Sequence, residues 1–259
     1  MNIQSDFVFG VNPVMEKLRA SPDEVIEVIL IEGHLRSGLR AIEFEARRLG
    51  MRVTYAHHQE LSRLAASDKH QGVIAKVAPY QYVQFSDWFQ NDTPPSAADE
   101  ILVLDGLTDP HNFGALLRTA EAVAIRRVII PRDRSVDVTP TVAKASAGAV
   151  HHLQICRIAN LRRAMTVLKD NGYWLVGLDH RASEQIYDRV YPEKLGIVLG
   201  SEGKGIRPLI WRECDYRVSI PMLGKISSLN VAVAGAVFLY EILRQKRALT
   251  KMGSRDKSF

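Results

Sequence analysis

Between residues 100 and 243 the chain repeatedly spells a short, unbroken apolar run and then a stretch with helical spacing. The runs are ILVLDGL, RRVIIPRD, VHHLQICRI, YWLVGLDH, LGIVLG and YRVSIPM. A run without polar alternation forms a strand buried on both faces. Between the runs lie a helix opening at Asp109, another near TVAKASAGA, and NLRRAMTVLKDNG with Gly172 as its stop. A long terminal helix is expected from about Ser228 to Arg247. Such alternation predicts an α/β fold, a mostly parallel sheet with helices on both faces.

Residues 1–78 repeat the theme at small scale. VNPVMEKLRA reads as a helix, EVIEVILIEG as a strand and SGLRAIEFEARRLG as a helix closed by Gly50. MRVTYA (strand), HQELSRLAA (helix) and GVIAKVAP (strand) complete a small α/β domain of its own. Residues 79–99 carry Pro79, Pro94 and Pro95, three acids and no base, and read as a linker with some aromatic packing. The main domain then spans 100–247, and 248–259 is expected to be a disordered basic tail.

Charge is unevenly placed along the 259 residues. It is 0 over 1–78, −3 over 79–99, +3 over 100–243 and +5 over 244–259, so the net +5 equals that of the tail. A basic end suits a polyanion, but it equally suits a solvated terminus. No apolar run approaches the ~18 residues of a membrane span. The N-terminus lacks a basic segment ahead of an apolar one, so the expected compartment is the cytoplasm, with no membrane partner. Cys156 and Cys214 show no CxxC spacing, and His57-His58 and His151-His152 are adjacent pairs that point apart on a strand. No metal is expected.

Parallel sheets bind ligands in the loops beyond their C-terminal strand ends. Three such loops are rich in Gly and polar residues: Asp105 to Gly114, Gly200 to Pro208, and Met222 to Asn230. GSEGKGIRP is neither a phosphate-binding P-loop nor a GxGxxG dinucleotide fingerprint, which argues against a nicotinamide dehydrogenase. In the first loop Asp109 suits an N-cap and Pro110 the first helical position. Phe113, Leu116, Leu117, Ala120 and Ala124 then share an apolar face, with Arg118 off it. Arg118 has two readings, an ion pair with Glu121 or a bidentate grip on phosphate. In the third loop Ser228 is an N-cap candidate for a helix apolar around most of its girth.

Together, DGLTDPHNFGALLRTAEAVA, IVLGSEGKGIRP and IPMLGKISSLNVAVAGAVFLYE resemble the three signature motifs of the SpoU (TrmH) family. These are RNA ribose 2′-O-methyltransferases of the SPOUT superfamily. FVFGVNPVMEKL and HQGVIAKV resemble the small substrate-binding domain of RlmB-type members, which is similar to an RNA-binding ribosomal-protein fold. The resemblance implies a C-terminal trefoil knot, a homodimer through the C-terminal domain, and S-adenosylmethionine as methyl donor. It assigns donor contacts to Gly200, Ile220 and Leu229, and active-site roles to Asn112, Arg118, Glu202, Ser228 and Asn230. It implies methylation of a guanosine ribose in 23S rRNA. The same chemistry on tRNA or another rRNA site is the alternative, and a catalytically silent RNA-binding assembly factor is a further one. Arg126, Arg132, Arg134, Lys204 and Lys225 are candidate RNA phosphate contacts.

Arginine is too basic to act readily as a proton acceptor. Arg118 is therefore expected to clamp the neighbouring phosphate and stabilise a developing alkoxide, with phosphate or water taking the proton.

Overall fold

The computed structural model describes residues 6–89, 99–226 and 228–255. The chain divides into two compact units, Met1–Gln81 and Tyr82–Phe259.

The first unit contains β1 (Asp6–Phe9), α1 (Val11–Ala20), β2 (Val25–Ile31), α2 (Ser37–Arg48), β3 (Arg52–Ala56), α3 (His58–Ala65) and β4 (Val73–Val77). Its sheet order is β1-β4-β2-β3, with β4 antiparallel to both neighbours and β2 parallel to β3. Strand periodicity builds two cores. Val28 and Leu30 face the α1 and α2 residues Leu18, Leu39 and Ile42. Ile29, one residue out of step, packs with Leu61 and Ala65 of α3 on the other side. The short strand β1 has no counterpart in the expected elements.

The second unit carries β5 (Asp99–Asp105), α4 (Pro110–Ala122), β6 (Arg127–Pro131), α5 (Pro140–Ala145), β7 (Gln154–Ile158) and α6 (Leu161–Asp170). It continues through β8 (Trp174–Leu178), β9 (Glu184–Gln185), β10 (Lys194–Gly200), α7 (Pro208–Glu213), β11 (Tyr216–Ser219) and α8 (Val231–Arg255). The sheet order is β7-β6-β5-β10-β8-β11-β9, and every strand pair is parallel. Ile101, Val103 and Val198 meet Leu161, Met165 and Leu168 of α6 on one face. The aromatic half of the expected linker belongs here: Phe85, Trp88 and Phe89 pack on that cluster, and Val83 bridges to Cys156. Residues 90–98 lie outside the described ones.

From β5 the chain winds outward through β6 to β7, then crosses back so that β10 pairs with the other side of β5. A reversal of winding opens a crevice beyond the C-terminal strand ends. Here it falls between β5 and β10, where Asp105 stands opposite Gly200 in register.

The terminal helix differs from expectation at both ends. It starts at Val231 rather than Ser228 and runs to Arg255, past Arg247. The last four residues of the expected tail lie outside the described ones. No helix among the described residues is long and apolar enough to cross a membrane.

Candidate active site

The first loop is built by a cap. Asp109 Oδ1 accepts from the His111 N–H at 2.7 Å, and Pro110 occupies the first turn of α4. That hydrogen bond holds the Asp109 carboxyl below its ordinary value. Asn112, one turn in, donates to Asp109 Oδ2 at 3.3 Å.

The second loop closes on itself. Ser201 and Gly205 exchange backbone hydrogen bonds of 3.2 and 2.9 Å, and Gly203 and Gly205 take positive φ of 73° and 64°. Two buried carboxylates at strand ends tie its far side. The Arg207 N–H and Nε donate to Asp105 at 2.8 and 2.7 Å. The Ile206 N–H and the Arg181 guanidinium donate to Asp179 at 3.1 and 2.7 Å. Burial pushes the Asp179 carboxyl up, but the hydrogen bonds from Arg181 and Ile206 outweigh it and hold it below its ordinary value.

The third loop ends at Asn230. Its Oδ1 accepts from the N–H groups of Ala232 and Val233 at 2.9 and 3.3 Å, so Asn230 rather than Ser228 caps α8. Its Nδ2 donates to Asn112 Oδ1 at 3.0 Å. This joins the starts of α4 and α8 across 118 residues of sequence. Behind that contact the helices touch closely, since a Cβ on Gly235 would stand 2.3 Å from Leu116 Cδ2.

Replacing Asn230 with alanine is expected to cost about 1 kcal/mol through the lost cap, lowering the melting temperature by about 2–4 °C in a domain of this size. Ser228→Ala, at an exposed position, is expected to leave it unchanged. Differential scanning calorimetry of both variants checks the assignment, and equal shifts would contradict it.

The second and third loops, with the end of β8 and the start of α8, line a cleft of about 350 Å³. Gly200, Ile220 and Leu229 line it, and so do Glu202, Ser228 and Asn230. Six of the eight residues expected to carry chemistry or donor contacts thus share one cavity, and Asn112 is bonded to one of them. Arg118 does not line it. It is exposed on α4, six residues past Asn112, about 9 Å farther along the axis at the α-helical rise. Among the described residues no ion pair joins it to Glu121.

The phosphate-contact candidates separate. Arg132 and Arg134 follow the C-terminal end of β6, on the cleft's edge of the sheet, and are exposed. Arg126 precedes β6 and so sits at the opposite edge, away from them. Lys204 is exposed on the second loop and Lys225 on the third. Three cleft residues escape the motifs altogether: Leu178, the last residue of β8, and Asp179 and His180, which follow it. Their position at the end of the apolar run YWLVGLDH is the one signal that could have marked them.

Residues 99–240 match the SpoU rRNA Methylase family, and residues 7–83 match the RNA 2′-O ribose methyltransferase substrate binding family. The 23S rRNA (guanosine-2′-O-)-methyltransferase RlmB of Vibrio cholerae is 38% identical over 255 residues, covering 95% of this chain and 99% of its own. RlmB of Photorhabdus laumondii is 37% identical over 246 residues, covering 93% and 99%. The fold is shared with the SpoU methyltransferase AviRb of Streptomyces viridochromogenes, solved in complex with AdoMet. That likeness has a TM-score of 0.69 at 23% identity and covers 94% of this chain and 91% of the other. The chain belongs to the SpoU rRNA methylase family and is an RNA methyltransferase.

Proposed function

We propose that the chain methylates the 2′-hydroxyl of a guanosine ribose in 23S rRNA, with S-adenosylmethionine as donor. The observation that carries this reading is the single cleft in which the ends of β10 and β11 meet the capped start of α8. Its residues fit the donor. The cavity is within the range of small-molecule sites. Leu178, Leu199, Ile220 and Leu229 give it apolar walls, and Gly200 lacks the side chain that would collide with the loop's own backbone. Gly200, Ile220 and Leu229 hold the donor, which when bound supplies a methyl group on a sulfonium.

Asn112 and Asn230, already bonded, fix the mouth of the cleft. Glu202, Ser228 and Asn230 orient the incoming nucleotide. Placing two reactants in line can supply several kcal/mol of the barrier. Arg118 stands outside the cavity with its guanidinium exposed, which suits a grip on the phosphate beside the target sugar rather than on the sugar itself. Arg132, Arg134, Lys204 and Lys225 extend this to flanking phosphates. The reading includes the trefoil knot of the C-terminal unit and a homodimer. Leu223, Ile226, Val233 and Tyr240, all exposed apolar residues of the third loop and α8, are the surface a second copy would cover. It places the enzyme in the cytoplasm.

The test is primer-extension mapping of 2′-O-methyl stops in 23S rRNA and tRNA from a deletion strain, with and without the gene restored. Loss and recovery of one guanosine signal in 23S rRNA is the expected result. A change confined to tRNA would overturn the substrate, and no change in any RNA would favour a silent assembly factor.

A further inference from the structure

Beside the motif residues, the cleft contains a pair that none of the three motifs includes. Asp179 and His180 leave the C-terminal end of β8 and both line the cavity. The Asp179 side chain is 1% exposed, whereas that of His180 is 55% exposed. His180 Nδ1 lies 3.3 Å from Asp179 Oδ1. The carboxylate is itself fixed by Arg181 and by the Ile206 N–H, so it cannot follow the imidazole outward. A proton on Nδ1 facing this carboxylate leaves Nε2 as a hydrogen-bond acceptor.

Sheet order says which part of the cleft this acceptor serves. β8 lies between β10, which ends at Gly200, and β11, which precedes Ile220. These flanking residues are the proposed donor contacts. The acceptor side, with Asn112, Glu202 and Asn230, is built from the loops after β5 and β10 and from the start of α8. His180 is therefore on the donor's side, one strand farther from β5 than Gly200. Leu178 at the end of β8 and Ile220 after the neighbouring β11 are apolar walls of the cleft and suit a purine. The polar group that borders a purine in an adenosyl donor is its ribose diol, which offers hydroxyl donors to an acceptor.

We propose that His180, oriented by Asp179, accepts a hydrogen bond from the ribose diol of the adenosyl donor and so sets donor affinity and specificity. Asp179 acts as a positioning residue. It fixes the imidazole and, through Ile206, the loop that carries Glu202. The inference rests on the methyltransferase reading above.

Isothermal titration calorimetry of the full chain tests it. The probes are S-adenosylhomocysteine, 5′-methylthioadenosine and 5′-methylthio-2′-deoxyadenosine. Losing one hydrogen bond is expected to weaken S-adenosylhomocysteine by roughly 3- to 10-fold in His180→Ala, with the melting temperature unchanged because the side chain is largely exposed. His180→Gln, which keeps an acceptor, recovers part of the loss. The native chain prefers the ribo over the 2′-deoxy analogue, and His180→Ala no longer does. A merely structural role would not remove that preference. Native affinity in His180→Ala, or an undiminished preference for the ribo analogue, overturns the proposal. If the native chain binds none of the three probes, the donor assignment itself fails, and the role of His180 fails with it.

Discussion

Replacing Gly200 with alanine is expected to weaken S-adenosylmethionine binding on the order of 100-fold, since overpacking a rigid site costs up to about 3 kcal/mol. The added Cβ would stand 2.1 Å from Gly205 C, 2.2 Å from Ile206 N and 2.3 Å from Gly205 O. These are backbone atoms, so no side chain can turn aside to make room. The loop cannot retreat either, because the next two N–H groups, of Ile206 and Arg207, are held by the buried carboxylates Asp179 and Asp105. Moving it would leave those carboxylates short of donors, a cost of about 1–3 kcal/mol for each unsatisfied group. A lower melting temperature should accompany the lost affinity. Gly203→Ala is the contrast. Nothing lies within 4 Å of its added Cβ, and the only penalty is the positive φ of 73°, about 1–2 kcal/mol. Calorimetric titration and thermal melts of the two variants check this. Equal donor affinity in Gly200→Ala and the native chain would show that the loop does not cradle the donor.

This rigidity was not legible in the sequence, and the reason is its range. The start of α4 was legible because a cap is local: Asp109 binds an N–H two residues on, and Pro110 suits the first turn whatever else surrounds it. The β5 and β10 runs were legible because their burial on both faces leaves an unbroken apolar string. The pairing of Asp105 with Arg207, by contrast, exists only because β10 lies against β5. Strand order is a non-local property that periodicity does not encode. The same holds at α8. Ser228 and Asn230 are both good cap formers, and the choice falls to the residue that can also reach Asn112. Ala124 fails for a local reason: α4 ends at Ala122, and Ala124 turns outward at a φ of 65°. Arg126 and Arg132 look like one cluster in sequence. With the five-residue strand β6 between them they are six steps apart, about 20 Å at the extended rise, on opposite edges of the sheet. Of the cleft, the motifs include the residues proposed to contact the donor and the nucleotide. They include the buried Asp105 but not the buried Asp179, which ties the same loop through Ile206.

Arg118→Lys is expected to slow single-turnover methylation on the order of 100-fold, the scale of losing one donor to developing charge, with donor affinity unaltered. The side chain is exposed, off the cleft and free of an ion pair with its helical neighbour, so its replacement removes no packing and no donor contact. The fold should therefore keep its melting temperature within the small range typical of surface changes. Lysine keeps the positive charge but loses the planar fork that grips two phosphate oxygens at once. A rate loss despite retained charge thus reports bidentate geometry. The pH profile separates this from a role as proton acceptor. An amine loses its proton far more readily than a guanidinium. If residue 118 took the hydroxyl proton, the lysine variant would gain rate toward alkaline pH relative to the native enzyme. If it clamps phosphate, the two profiles run parallel, offset by a constant factor. Rapid-quench rates from neutral to alkaline pH, with calorimetric donor titrations alongside, distinguish the two. Parallel profiles leave the proton to phosphate or water, consistent with a guanidinium that stands outside the cavity proposed for methyl transfer.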